Sequence, residues 1–355
     1  MKLLIITQKV DENDSVLGFF HGWIVEFAKN CEFVTVICLQ EGAHHLPKNV
    51  KVFSLGKENF INFKDFRLYR LFKKFRYVLN FLKYIWQERK NYDAVFVHMN
   101  QEYVLLGGLV WKFLGKKITM WRNHHAGNFL TRIAIGLCDK IFCTSKYSFT
   151  AYSKKTVLMP VGINTDVFKK EAGVQKENNS LLFLGRMSPV KRPGFIIEAL
   201  RYLHDSNVNF IFDFYGNHLK KDADYVNALK EKTREYHLDE SIHFKNSVPN
   251  TEAPHIFNTY EVFINASPSG MYDKTIFEAM ACETMILASN ANLKGQVDDL
   301  FLFNENDEKD LAGKLKALLS LNAQIRGKRG KLLRKYVVEH HSLKQLASEL
   351  MDEIK

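Results

Sequence analysis

Two short stretches of this sequence bring charge, glycine and a helix start together. "FLGRMSPVKRPGF" (183–195) sets Gly185, Arg186 and Lys191 between an apolar run and a helix with proline in its first turn. "SPSGMYDKTIFEAMA" (267–281) leads through Gly270, Met271, Asp273 and Lys274 into a helix carrying Glu278 about one turn inside. A glycine at a strand end lets another backbone or a ligand approach closely. Arg and Lys beside it would meet a phosphate. The second helix start offers unpaired N–H groups and a positive dipole end to an anion. A carboxylate one turn in can accept hydrogen bonds from a ligand diol such as a ribose. Neither stretch is a Walker loop or a G-x-G-x-x-G turn. On spacing alone the first is equally an ordinary basic loop, and Glu278 equally a helix-surface acid with a mild dipole benefit.

The elements that must position these groups follow from periodicity. Apolar runs at 2–7, 34–39, 50–55, 93–99, 117–121, 140–145 and 156–161 predict strands, with helices near 18–29 and 103–115. The pattern restarts with strands at 180–185, 208–216, 242–245, 262–267 and 284–289, and helices at 192–203, 224–237 and 308–321. Alternating strands and helices imply parallel sheets covered on both faces. A chain of 355 residues exceeds the usual single core, so two domains are expected. The polar stretch "EAGVQKENN" (171–179) is the expected linker, giving domains 1–170 and 171–335. The fold class is α/β: two Rossmann-like doubly wound domains facing across a cleft, with ligands beyond the carboxyl ends of the strands.

The two stretches, with "VGINTDVF" (161–168), resemble the second half of family 4 glycosyltransferases, retaining enzymes of the two-Rossmann-domain GT-B type. The resemblance is specific over about 156–300 and weaker before it. It implies that Arg186 and Lys191 hold the diphosphate of a nucleoside-diphosphate sugar donor and that Glu278 binds the ribose. The family's first Glu would fall at Gly270, and "AMACG" reads "AMACE" here, with Glu283. A subgroup carries a similar S-x-x-G-x-x-D-K variant, which leaves Asp273 or the backbone N–H groups of 270–274 to meet the sugar. Breaking a sugar–phosphate bond builds negative charge on the leaving diphosphate, which the cations and the helix terminus stabilise. The resemblance implies no covalent nucleophile and no required metal or cofactor. It also implies that the last helix, 336–355, crosses back to the first domain. His340 and His341 on that stretch read as structural.

On the acceptor side, "WRNHHAGN" (121–128) ends a strand with His124 and His125. The resemblance places a histidine there facing sugar and acceptor, with His124 first and His125 beside it. A histidine could position a hydroxyl or share a proton; the pair could equally be surface residues. His98 is a weaker candidate. Gly18 opens the first helix, either letting the backbone approach the diphosphate or simply starting the helix. Residues 57–90 hold ten Lys/Arg against three acids, with Phe60, Phe63, Phe66, Tyr69, Phe72 and Phe75 every third position. Such a helix either lies on an anionic membrane or packs its aromatic stripe on the sheet with its basic face in water.

The net charge of +11 sits in the first half: residues 1–175 hold 26 Lys/Arg and 14 Asp/Glu. That field suits a polyanion or an anionic membrane surface, and no motif supports nucleic acid as the partner. Five cysteines without C-x-x-C spacing predict reduced thiols in a cytoplasmic chain and no metal site. No apolar run matches a leader or a membrane span. The expected activity is sugar transfer from a nucleotide-sugar to a glycan or lipid-linked acceptor, on the cytoplasmic side and at the inner membrane face. Alternatives are an inactive nucleotide-sugar-binding partner subunit and a GT-B sugar-nucleotide epimerase.

Overall fold

The computed structural model describes residues 1–14, 16–59 and 67–355. The chain forms two compact units, one of residues 1–162 with 343–355 and one of 163–342. The α/β class holds in both.

The first unit runs β1 (Lys2–Val10), α1 (Gly18–Lys29), β2 (Phe33–Glu41), β3 (Val50–Ser54), α2 (Arg67–Gln87), β4 (Ala94–His98) and α3 (Gln101–Phe113). It continues with β5 (Lys117–Trp121), α4 (Phe129–Leu137), β6 (Lys140–Cys143) and β7 (Thr156–Leu158). Seven parallel strands take the order β3-β2-β1-β4-β5-β6-β7. The run LLII in β1 lacks alternation because both faces are covered. Leu3 and Ile5 pack with α1, while Leu4 and Ile6 pack with Phe81 and Ile85 of α2, Trp111 of α3 and Ile135 of α4.

The second unit runs β8 (Ser180–Leu184), α5 (Pro193–Asp205), β9 (Ile211–Tyr215), α6 (Ala223–Glu235), β10 (Ile242–Lys245) and α7 (Ala253–Thr259). Then come β11 (Val262–Asn265), α8 (Lys274–Ala281), β12 (Met285–Ala288), α9 (Glu308–Leu319) and α10 (Ala323–His340). Its five parallel strands take the order β10-β9-β8-β11-β12. The chain reverses its winding between β8 and β11, which makes the carboxyl edge of those two strands the switch point where ligands bind in such sheets.

The last helix, α11 (Leu343–Ile354), belongs to the first unit. Leu346, Leu350, Met351 and Ile354 are buried in the core beside α1. The chain leaves the first unit at Gly162, ahead of the expected boundary at 170/171. Gly162 has φ +79°, and a Cβ there would lie 2.4 Å from Leu346 and 2.8 Å from Trp23. Its carbonyl accepts a hydrogen bond from Trp23 Nε1 at 3.1 Å. The polar stretch 171–179 is not a loose linker. Lys176 within it donates to Phe257 O at 3.1 Å, Tyr260 O at 2.8 Å and Thr284 Oγ1 at 2.8 Å, and burial pulls its ammonium down to about 8.

Three helices, α4, α7 and α10, lie where periodicity predicts none. In α10 the contact side includes Gly330, where a Cβ would lie 2.5 Å from Glu283 O, so close backbone packing replaces an apolar stripe. Among the described residues no helix is long and apolar enough to cross a membrane. All five cysteines are free and buried.

His98 is a core residue. Its ring stacks on Phe20 at 3.9 Å, and Nδ1 lies 3.3 Å from Thr7 Oγ1. Burial pulls it from 6.5 down to about 3. His341, against Phe277 and Tyr336, is likewise pulled to about 4 by burial. Both stay neutral when folded, whereas the unfolded chain protonates them below about 6.5. Each therefore costs stability as pH falls, by about 1.4 kcal/mol per pH unit until its folded value is reached. His98→Phe keeps the stack and removes one such group. Urea titrations between roughly pH 6 and pH 4.5 should show a slope smaller by about that amount.

Candidate functional site

The carboxyl edge of β8 and β11 assembles most of the residues singled out from sequence. Gly185 and Arg186 follow β8 directly, and Lys191 ends a short turn before α5. The glycine demanded by close approach is Gly216, after β9. A Cβ there would lie 1.8 Å from Gly185 O, whereas Gly185 itself has only ordinary space around it. Gly185 N donates to Tyr215 O at 3.0 Å and Met187 N to Asn217 O at 3.0 Å, locking the two loops side by side. Arg186 is exposed.

The loop after β11 is tied to this edge by charge. Lys191 Nζ forms an ion pair with Asp273. The same carboxylate accepts from Asn265 Nδ2 at 2.8 Å, Ser267 Oγ at 3.3 Å and Thr275 Oγ1 at 3.1 Å. Burial alone would raise the Asp273 carboxyl; the Lys191 ammonium and the hydrogen bonds from Asn265 and Thr275 outweigh it and hold the group below its ordinary value. Asp273 is also the N-cap of α8, though its side chain does not cap the helix.

Glu278, one turn inside α8, is only 3% exposed, so the helix-surface reading is set aside. Its Oε1 accepts from Lys274 Nζ at 2.9 Å, and the Lys274 side chain keeps 23% of its surface. A buried carboxylate without such a partner would be strongly disfavoured. Two lysines of the site thus rest on two carboxylates, Lys191 on Asp273 and Lys274 on Glu278.

Gly270 has φ +149°, a region that side-chain-bearing residues avoid, and a Cβ there would meet nothing within 4 Å. Backbone geometry, not crowding, thus keeps an acid from this position. Asn292 Nδ2 donates to Gly270 O at 2.7 Å and Asn290 Nδ2 to Met271 O at 2.8 Å. Ser269 N donates to Glu305 Oε2 at 2.9 Å, which brings an acid to the loop from another part of the chain. Glu305, Asn290 and Asn292 are neighbours of the candidate loop that sequence reasoning missed. The asparagines within "SNAN" (289–292), which follow a strand at the same edge, were the available signal.

A cavity of about 350 Å³ opens at the carboxyl ends of β8, β9 and β10, lined by Met187, Gly216, Asn217, Phe244 and Lys245 among others. Another, of about 310 Å³, lies at the amino ends of the strands around Lys176, Glu261 and Arg326, away from this edge. Among the described residues no group of three or more His, Cys, Asp or Glu converges as a metal site would require.

The remaining candidates lie in the first unit. His124 and His125, in the loop after β5, are exposed and stack at 4.7 Å. His124 Nδ1 accepts from Ala126 N at 2.9 Å, which fixes the loop. Gly18 is the first residue of α1. Its N–H already donates to Asp14 O at 2.9 Å, and a Cβ would lie 2.9 Å from Glu12 O. The glycine answers to the close approach of Glu12, and its N–H is already taken by Asp14 O. In the segment 57–90, residues 60–66 lie outside the described residues. Phe72 and Phe75 are exposed, and Phe81 and Ile85 make the contact with the sheet instead.

Residues 164–335, which hold both loops, match the family described as Glycosyl transferases group 1. YtcC of Bacillus subtilis (strain 168), which carries a provisional glycosyltransferase name, is 25% identical over 134 residues, covering 37% of this chain and 32% of that protein. The match therefore spans about a third of that relative's length. Among solved structures, Anabaena Alr3699/HepE in complex with UDP has a TM-score of 0.76 at 17% identity, covering 99% of both chains. A mutant of S. aureus TarM in complex with Fondaparinux, alpha-GlcNAc-glycerol and UDP has a TM-score of 0.75 at 10% identity, covering all of both chains. The two-sheet α/β fold, of GT-B type, is thus shared with these structures.

Asp273→Asn removes the charge that Lys191 faces. The expected loss is about 1–3 kcal/mol, the range for a buried polar group left without its partner. Because the folded Asp273 value is depressed, its contribution is present above the unfolded carboxyl range and is lost as pH falls through the folded value. Thermal unfolding of the variant should therefore show a deficit at neutral pH that shrinks in acid.

Proposed function

We propose that this protein is a retaining glycosyltransferase of the family 4 type. It moves a sugar, of the hexosyl kind, from a nucleoside-diphosphate sugar to a glycan or lipid-linked acceptor in cell-envelope polysaccharide synthesis. The observation that carries this reading is the pair of cationic loops joined at the switch point of a sheet whose segment matches a glycosyl transferase family. The donor diphosphate replaces carboxylates as the partner of the cations. Arg186 and Lys191 take its oxygens, with Lys274 beside them. Lys274 thereby releases Glu278 to accept hydrogen bonds from the ribose diol. The cavity bounded by Asn217, Phe244 and Lys245 takes the base, and the backbone of 270–274 with Asp273 meets the sugar.

At the transition state the leaving diphosphate gains negative charge, and preformed cations stabilise it without reorganisation. One charge-assisted hydrogen bond is worth about 1.5–3 kcal/mol, so losing one slows the reaction roughly tenfold to a hundredfold. The leaving phosphate oxygen accepts the acceptor's proton on the same face of the sugar, which retains configuration without a covalent intermediate. His124, with His125 stacked on it, positions the acceptor hydroxyl. No metal or cofactor is assigned. The protein works in the cytoplasm at the inner membrane face, with the basic segment 57–90 meeting anionic lipid.

The paired lysines and Gly270 also favour a second reading, a nucleotide-sugar-binding partner subunit without transfer activity. Calorimetry and turnover separate the two. Lys191→Ala and Glu278→Ala should each weaken UDP or GDP binding about tenfold or more, whereas His124→Ala should leave binding intact and slow turnover. Unchanged affinity in both cleft variants sinks the donor site. Intact binding with neither transfer nor donor hydrolysis favours the partner-subunit reading. Thermal shifts with UDP, GDP, ADP and CMP would identify the base, because a ligand stabilises the state it fits.

A further inference from the structure

Helices α2, α3 and α4 cover one face of the first sheet as a single layer, with Phe81, Trp111 and Ile135 pointing into the shared core. Their other side is unusual. On α3, Leu106, Leu109 and Phe113 recur at three and four residues and are exposed. Phe129 and Ile133 do the same on α4, and Phe72, Phe75, Leu79 and Trp86 on α2. Phe113, Phe129 and Leu109 are 82%, 75% and 72% exposed, the highest values for any large apolar side chain among the described residues. Isolated exposed apolar residues are ordinary, but a run across three neighbouring helices marks an interaction surface.

Charge indicates what covers it. The three helices together hold eight Lys/Arg and one acid, Glu102. Lys74 and Lys83 lie exposed on the α2 stripe, and Arg132 lies exposed between Phe129 and Ile133. A second copy of this chain, docked face to face, would set cations against cations. An anionic bilayer matches both properties at once: headgroups meet the basic side chains, and Phe and Leu enter the acyl boundary.

We propose that the outer face of the α2–α3–α4 layer is a docking surface for an anionic lipid bilayer, with Leu109, Phe113 and Phe129 as the inserting residues. This extends the lipid contact well beyond 57–90 and gives it an apolar component. Phe129 is the first residue of α4, directly after the His124–Asn128 loop. That helix start is fixed by a reciprocal cap, in which Thr131 N donates to Asn128 Oδ1 at 3.1 Å and Asn128 N to Thr131 Oγ1 at 3.0 Å. Insertion of Phe129 therefore holds the His124 loop at the lipid surface, where a lipid-linked acceptor presents its head. This last consequence rests on the proposed acceptor reading; the docking surface itself does not.

The test is flotation of the full chain with vesicles of phosphatidylcholine alone and of equal parts phosphatidylcholine and phosphatidylglycerol. The expected result is flotation with the anionic vesicles only, reduced at least tenfold in the triple variant Leu109→Ser, Phe113→Ser, Phe129→Ser. Those side chains are exposed, so thermal unfolding of the triple variant should match the parent. A second variant, Lys74→Ser, Lys83→Ser, Arg132→Ser, should lose flotation and reduce its salt dependence. The proposal is overturned if the chain floats with neither vesicle, or if the apolar triple floats like the parent. It is equally overturned if light scattering shows a dimer that the triple variant abolishes, which would make the face an interface between copies. UDP binding measured on the same samples separates this from failure of the donor site, since the triple variant should bind like the parent.

Discussion

The ion pair between Lys191 and Asp273 joins two loops that are far apart in sequence and adjacent at the switch point of the second sheet. Each loop is fixed on its own side as well. The loop after β8 is held against Gly216 by backbone approach. The loop after β11 continues into α8, whose residues Ile276–Ala281 are all buried. The pair therefore joins two rigid supports, and the space beside it is defined before any ligand arrives. Lys191 and Lys274 also each have a carboxylate partner when the site is empty. In the proposed donor complex a diphosphate competes for those cations, which favours a multiply charged anion over a singly charged one.

Much of this was legible in the sequence, for identifiable reasons. Parallel strands buried on both faces appear as unbroken apolar runs, so LLII, AVFV and VFIN marked β1, β4 and β11. The residues at the carboxyl edge were visible because charge and glycine at strand ends are rare in a core. Glu278 was visible one turn inside a helix start, but its burial and its bond from Lys274 were set by the packing of α8 and emerged only in the structure. Gly216 had no local sign either, because its constraint is the carbonyl of Gly185 on a neighbouring loop. The exit point at Gly162 depends on Trp23 and Leu346, residues far away in sequence. The polar stretch 171–179 misled for a related reason: Lys176 is polar yet anchored by three acceptors that only the fold supplies.

The two layers over the first sheet divide their roles. One layer, α1 with α11, completes a core, and its apolar residues turn inward. The other, α2 to α4, is apolar on both sides, with the outward side interspersed with cations. The basic excess of the first half thus has a location on the fold. Eight of its 26 Lys/Arg, against one of its 14 acids, belong to the helices of that layer, next to the candidate acceptor loop.

The docking of α11 into the first unit affects how the chain is made. A ribosome releases residues 1–162 long before Leu346, Leu350 and Ile354 emerge, so the nascent first unit lacks part of its apolar lining while the whole second unit is being synthesised. During that interval α1 has an uncovered flank, the kind of exposed surface that recruits chaperones or aggregates. Completion of the amino-terminal half therefore waits until α11 has left the exit tunnel, and termination ahead of α11 would harm the half of the molecule already built.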